Sequence, residues 1–317
     1  MASSNLEAFL EAVTPQLPWR SAPMDCFQGP NNVWQLDKKD VVDYFALEDL
    51  WEHYSESSAY GLGVPVRLEN GKFITQHYVP YLSAIQIYTS KALDVPRSMG
   101  SDETDSWSDD STAEKLSRSW DAASDDSCNH DFDSVPAKQG GYLNFQYSEW
   151  DPPYERIPLA DKVAELAQDY PCLTSLRSAE LSPSSWLSVA WYPIYHIPYH
   201  GNLKGTSACF LTYHSISSVF QDKIVQCKDD AAARRIHSVS LSPFGLATYR
   251  MEEGKLWMQP NTAASAPGSS SSNSSSSRLL SDDLYGAASS WLKQVGAHHP
   301  DFNFFASHSR RSAIIIR

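Results

Sequence analysis

Cysteine is scarce and scattered. Cys26, Cys128, Cys172, Cys209 and Cys227 form no CxxC pair and are odd in number. That argues against a disulfide framework, and against a zinc site, whose ligands are closely spaced. A reducing compartment is the expectation. Basic residues are outnumbered: 25 Lys and Arg face 38 Asp and Glu, for a net charge of −13. With no basic stripe to meet a phosphate backbone, direct nucleic-acid binding is not expected. No apolar run nears the ~20 residues that span a bilayer, so no membrane span is expected. The first residues, Met1-Ala2-Ser3-Ser4-Asn5, lack the charged-then-apolar pattern of a secretory signal and the glycine that myristoylation requires. The expected location is cytoplasmic or nuclear.

Signatures of common chemistries are missing too. There is no GxxxxGK[ST] loop. Gly61-Leu62-Gly63 lacks the third glycine of a dinucleotide fingerprint, and Pro65 follows too soon for a helix N-terminus. Neither GxSxG nor HExxH occurs. No cofactor and no metal are therefore expected, although a Ser/His/Asp set assembled in space leaves no mark on the order of residues.

What the chain has is a contrast of polarity. Residues 101–134 hold 11 acidic and 2 basic residues, a net −9 that leaves only −4 for the remainder, and residues 262–277 are mostly serine. Neither stretch can bury enough apolar surface to offset its ordering entropy. Between them lie aromatic blocks such as Ser185-Trp186-Leu187-Ser188-Val189-Ala190-Trp191-Tyr192. The organisation this implies is one domain over 1–317. It is interrupted by a disordered acidic insertion at 97–138 and a Ser-rich loop at 261–278, and it ends in a frayed tail at 309–317.

Periodicity places helices at 5–13, at 40–55 with Asp40 as cap, at 159–170, and from Ser281 to a glycine cap at Gly296. Alternation places strands at 83–88 and 142–147, residues 186–192 and 207–213 are the most strand-like segments of the chain, and 246–251 with 255–258 suggest a hairpin. His298-His299 reads as a loop after the last helix. Strands that follow one another without a helix each time point to an α+β fold: a mostly antiparallel sheet, a few packed amphipathic helices and two disordered insertions.

Two regions carry candidate function. The first is Tyr192 to His200, with His214 nearby; His196, His200, His214 and Tyr195 are its catalytic candidates. Pro193 and Pro198 preclude a regular helix. In extended chain His196 and His200 stand about 13 Å apart, too far to share one metal. An enzyme or small-molecule binder would need these side chains to converge on a Tyr/His-lined site around 192–214. The bland alternative is a strand end whose polar tips are hydrogen-bonded. The second region is the acidic insertion. Ser106 and Ser111 have acids three residues on, which suits an acid-directed kinase, while Trp107 and Trp120 are apolar anchors spaced among carboxylates. The functional expectation is an intracellular interaction or scaffold protein with a phosphorylatable acidic loop, its protein partners unspecified.

Several blocks together resemble one family. They are Pro30-Asn31-Asn32-Val33-Trp34, Asp43-Tyr44-Phe45-Ala46-Leu47-Glu48-Asp49-Leu50-Trp51, Ser185 through Tyr195, and Ala208-Cys209-Phe210-Leu211-Thr212-Tyr213-His214. The chain is similar, from about residue 19 to about residue 308, to the plant family catalogued as domain of unknown function 789. That resemblance implies no activity and no catalytic residues. Arg310–Arg317 does not look like part of the shared pattern.

Overall fold

The structure is a computed structural model. It describes residues 4–27, 33–34, 40–68, 70–90, 141–194, 206–221, 223–225, 237–251, 256–258 and 270–312. The chain divides into two units, 1–92 with 140–317, and 93–139. The described residues belong to the first. The acidic insertion, with Ser106, Trp107, Ser111 and Trp120, lies outside them, as do Tyr195, His196 and His200.

In chain order the elements are α1 (Asn5–Ala12), β1 (Gln16–Pro18), β2 (Arg20–Pro23), β3 (Val41–Tyr44), α2 (Leu47–Tyr60), β4 (Leu62–Arg67) and β5 (Phe73–Thr89). They continue with β6 (Tyr142–Ser148), α3 (Leu159–Asp169), the single turn α4 (Cys172–Ser175), β7 (Trp186–Pro193), β8 (Cys209–Ser215) and β9 (Lys223–Val225). The last are β10 (His237–Ser240), β11 (Gly245–Tyr249), α5 (Ser270–Gln294) and α6 (Pro300–Ser312). Among the described residues every strand pairing is antiparallel, and with these helices the fold is α+β.

β5 is the spine. Its 17 residues pair with β4 along Phe73–Tyr78, with β7 along Tyr78–Gln86 and with β6 along Ala84–Thr89. The main sheet runs β11-β8-β7-β5-β4, with β6 beside β4 on the same flank of β5. Pro80 sits where β4 has ended and β6 has not begun, so the strand has one neighbour there and the missing amide costs the ladder little. Two small sheets, β1-β10-β9 and β2-β3, account for the other described strands.

The sheet is covered on both faces. On one side Leu187, Val189, Trp191 and Phe210 pack with Leu6 and Phe9 of α1, Leu50 and Tyr54 of α2 and Val163 of α3. On the other, Trp186, Ala190, Leu211 and Tyr213 pack with Ala288 and Leu292 of α5 and Phe302 and Phe305 of α6. Burial on both faces explains why β7 and β8 read as nearly continuous apolar runs. A bulge between Leu82 and Ala84 breaks the alternation of β5. Leu82 and Ile85 face the α1–α3 side, while both Ser83 and Ala84 turn toward α5 and α6. One inserted residue thus aims a serine into the second core.

Four expectations are corrected. Residues 40–55 are not one helix: the β-branched Val41 and Val42 extend into β3, and α2 begins at Leu47, where the Asp49 carboxylate accepts the Ala46 amide at 3.3 Å. Residues 256–258 form a turn rather than a strand. Their carbonyls are taken by α1, through Asn5 Nδ2 to Leu256 O (2.7 Å) and the Leu6 amide to Trp257 O (2.9 Å). The serine loop proposed for 261–278 is helical from Ser270, because α5 starts eleven residues before Ser281. Extending a docked helix adds one hydrogen bond per residue without a new nucleus, and serine's mild helix penalty does not oppose it. Gly296 does end the region as expected, in a left-handed conformation with φ of 63°. Pro300 then opens the additional helix α6 at a position that needs no amide donor, and this helix takes Ser309–Ser312 out of the supposed tail.

Candidate functional site

Of the Tyr/His candidates, only His214 is among the described residues. It is 1% exposed and faces the α1–α3 core. Its Nδ1 donates to the Leu241 carbonyl at 2.7 Å, and its Nε2 accepts from Thr212 Oγ1 at 2.9 Å. Trp191 Nε1 in turn donates to Thr212 Oγ1 at 3.1 Å. Burial pushes the imidazole down to about 4, so it is neutral at neutral pH. Its neighbour Tyr213 points to the opposite face of β8, into the α5–α6 core. His214 and Tyr213 therefore face different cores.

A different cluster assembles on that second face, from residues far apart in sequence. Ser83 comes from the β5 bulge, Tyr213 from β8, His299 from the turn before α6, Asp301 from the first turn of α6, and Arg156 from the β6–α3 loop. Tyr213 donates its hydroxyl to His299 Nδ1 at 2.7 Å, and His299 Nε2 meets Ser83 Oγ at 2.8 Å. Ser83 donates to Asp301 Oδ2 at 2.5 Å, and Arg156 grips both oxygens of Asp301 at 2.8 Å each. The donors run one way. The carboxylate can only accept, so the serine proton goes to Asp301, Nε2 carries the imidazole proton, and Nδ1 receives from the phenol.

Burial and charge set the states of these groups. His299 is 2% exposed, and burial pushes it down to about 4, with Asp301 pulling back only partly. Burial works against the Arg156 charge, but the hydrogen bonds and charge of Asp301 hold its pKa above the ordinary value. The two side chains are 4% and 6% exposed. A serine 2.8 Å from a histidine suggests nucleophilic catalysis, but the arrangement is wrong for it. A nucleophile hands its proton to the imidazole. Ser83 hands its proton to a carboxylate, accepts from the imidazole, and is 0% exposed. Among the described residues no group of three or more His, Cys, Asp or Glu could hold a metal ion, and no helix is long and apolar enough to cross a membrane.

What the cluster does is hold the β6–α3 loop. The buried Glu149 carboxylate accepts the amides of Trp150 and Asp151, each at 3.0 Å, and the Tyr147 hydroxyl at 2.8 Å. Glu149's own amide donates to the Ser83 carbonyl at 2.8 Å. At the far end Arg156 Nε donates to the Asp151 carbonyl at 2.7 Å while its guanidinium is locked to Asp301. So braced, the loop presents Trp150 at 65% exposure and Tyr154 at 84%, with Ile157 also exposed. The Trp150 ring stacks on His298, 5.5 Å between centroids and 11° from parallel.

None of these residues stood out in the sequence. Trp150 and Tyr154 flank Pro152-Pro153, which reads as an ordinary turn, and His299 reads as loop. Among the described residues, Trp150 and Tyr154 are exposed aromatics on a loop that is braced from beneath, and rigid aromatic side chains dominate binding hot spots. The profile of a family described as Protein of unknown function (DUF789) matches residues 4–305. No curated protein matches the chain, and no solved structure does.

Proposed function

The chain belongs to the DUF789 family over residues 4–305, and from that premise we propose that it is a protein-interaction module whose contact surface is the Trp150–Ile157 loop. The observation that carries this is the combination of two aromatic side chains held in solvent with a loop whose backbone is tied down from beneath by Glu149 and the Arg156–Asp301 pair. Ordering such a loop costs nothing at the moment of binding, and that preorganisation is what converts aromatic area into affinity. The acidic insertion, with Ser106 and Ser111 as phosphate acceptors and Trp107 and Trp120 as anchors, is assigned the regulatory part, in the cytoplasm or the nucleus. The enzyme reading draws no support from His214, which is sealed in the core with both nitrogens engaged.

Proximity labelling in cells tests the reading. Wild type is compared with Trp150→Ala/Tyr154→Ala and with Ser106→Ala/Ser111→Ala. The loop variant should melt at the wild-type temperature, since its substituted side chains are exposed, and should lose a defined set of neighbours. The serine variant should change how strongly the same set is labelled. An unchanged neighbour set for the loop variant rejects the interaction surface.

A further inference from the structure

The loop's chemistry narrows its partner. Segment 149–158 contains three carboxylates, Glu149, Asp151 and Glu155, and a single basic residue, Arg156. Glu149 is spent on the loop's own amides, and Arg156 is turned inward and consumed by Asp301. Asp151 and Glu155 are exposed, beside Trp150 and Tyr154. The outward surface of the loop is therefore aromatic rings and carboxylates, with the local cation withdrawn from it. One face of the Trp150 ring is taken by His298, and at 65% exposure much of the remaining ring surface is open. An open indole or phenol ring offers its negative face to a cation, and flanking carboxylates add to the attraction. The overall charge of −13 favours the same sign of partner at longer range.

Resting on the interaction reading above, we propose that the Trp150–Glu155 loop docks a linear, Lys/Arg-bearing segment of a partner protein. The basic side chains lie over the exposed rings and pair with Asp151 and Glu155. Neutral and acidic segments lack the cation that both contacts need.

The probe is a labelled peptide of about 12 residues alternating Lys, Arg and Gly, a length that can cover one such loop, titrated into the full chain by fluorescence anisotropy. Gly/Ser and Glu/Gly peptides of equal length are the controls. The basic peptide should bind, and the controls should not. Trp150→Ala and Asp151→Asn/Glu155→Gln should each weaken binding by about tenfold, roughly the loss of one good contact. Added salt should affect the carboxylate variant less than wild type. The acidic insertion is itself an attractor for cations, so a third variant, D102N/E103Q/D105N/D109N/D110N, removes five of its charges. Binding that survives this variant supports the loop. Binding that vanishes with it while Trp150→Ala binds normally overturns the proposal, as does equal binding of all three peptides. If no peptide discriminates but Trp150→Ala/Tyr154→Ala still loses its cellular neighbours, the basic-segment proposal falls and the interaction surface stands.

Discussion

His214 and His299 are both engaged at both ring nitrogens, on opposite faces of the same sheet. Burial holds each down to about 4, against an ordinary 6.5. The unfolded chain therefore takes up a proton at each site as pH falls through about 6.5, and the folded chain resists until about 4. Their contribution to stability is complete above that window and is lost across it, by on the order of 3 kcal/mol for each ring. Urea unfolding at about pH 7, 5.5 and 4.5 measures the loss, and His299→Gln should lose less on acidification than wild type does. Parallel losses in the two proteins would show that His299 is not the group being titrated. The Arg156–Asp301 pair makes a second residue-level prediction. Asp301→Leu strands a buried guanidinium and should cost about 3–5 kcal/mol, whereas Arg156→Met/Asp301→Leu should cost far less than the two single changes added together. A thermal or urea melt of the four proteins settles this.

At the scale of elements, legibility followed periodicity. The strands at 83–88 and 142–147 and the helix at 159–170 could be read because apolar residues recur at the element's own spacing, and those at 186–192 and 207–213 because a short, nearly continuous apolar run suits a strand buried on both faces. The first half of β5 could not: Thr75, Gln76 and His77 are polar, and Pro80 argues against a central strand. It is a strand because β4 pairs with it up to Tyr78 and β7 from Tyr78 onward, which no local window reports. The start of α5 was missed for the opposite reason. A serine run has no stripe of its own, and the helix that carries it is held by Ala288 and Leu292 much further along. That helix lies close on the sheet. A Cβ added to Gly245 of β11 would stand 2.9 Å from the Ala288 Cβ and 3.1 Å from its Cα. Gly245→Ala pushes against helix backbone, which cannot swing aside as a side-chain tip can. It should destabilise by about 1–3 kcal/mol. A variant as stable as wild type in denaturant would show that α5 is free to move off the sheet.

For the whole molecule, the antiparallel α+β character was legible and the placement of the site was not. Ser83 and Asp301 are 218 positions apart, yet share a hydrogen bond. The histidines that drew attention in sequence did so by crowding, Tyr192 through His200, and crowding is a property of a segment. The cluster that braces the exposed loop is a property of the packing: a bulge that turns one serine, a helix that returns to the sheet, and an arginine drawn inward from a loop. Three of its five members, Ser83, Arg156 and Asp301, carry no motif at all.

The seam between β5 and β6 has a use in protein engineering. Thr89 and Tyr142 are directly opposite in the ladder, so the chain leaves the sheet and rejoins it at neighbouring points, roughly 5 Å apart. The closure cost of whatever joins such points grows only with the logarithm of its length. A reporter whose own termini lie close together can be spliced between 97 and 138 without asking either strand to shift register.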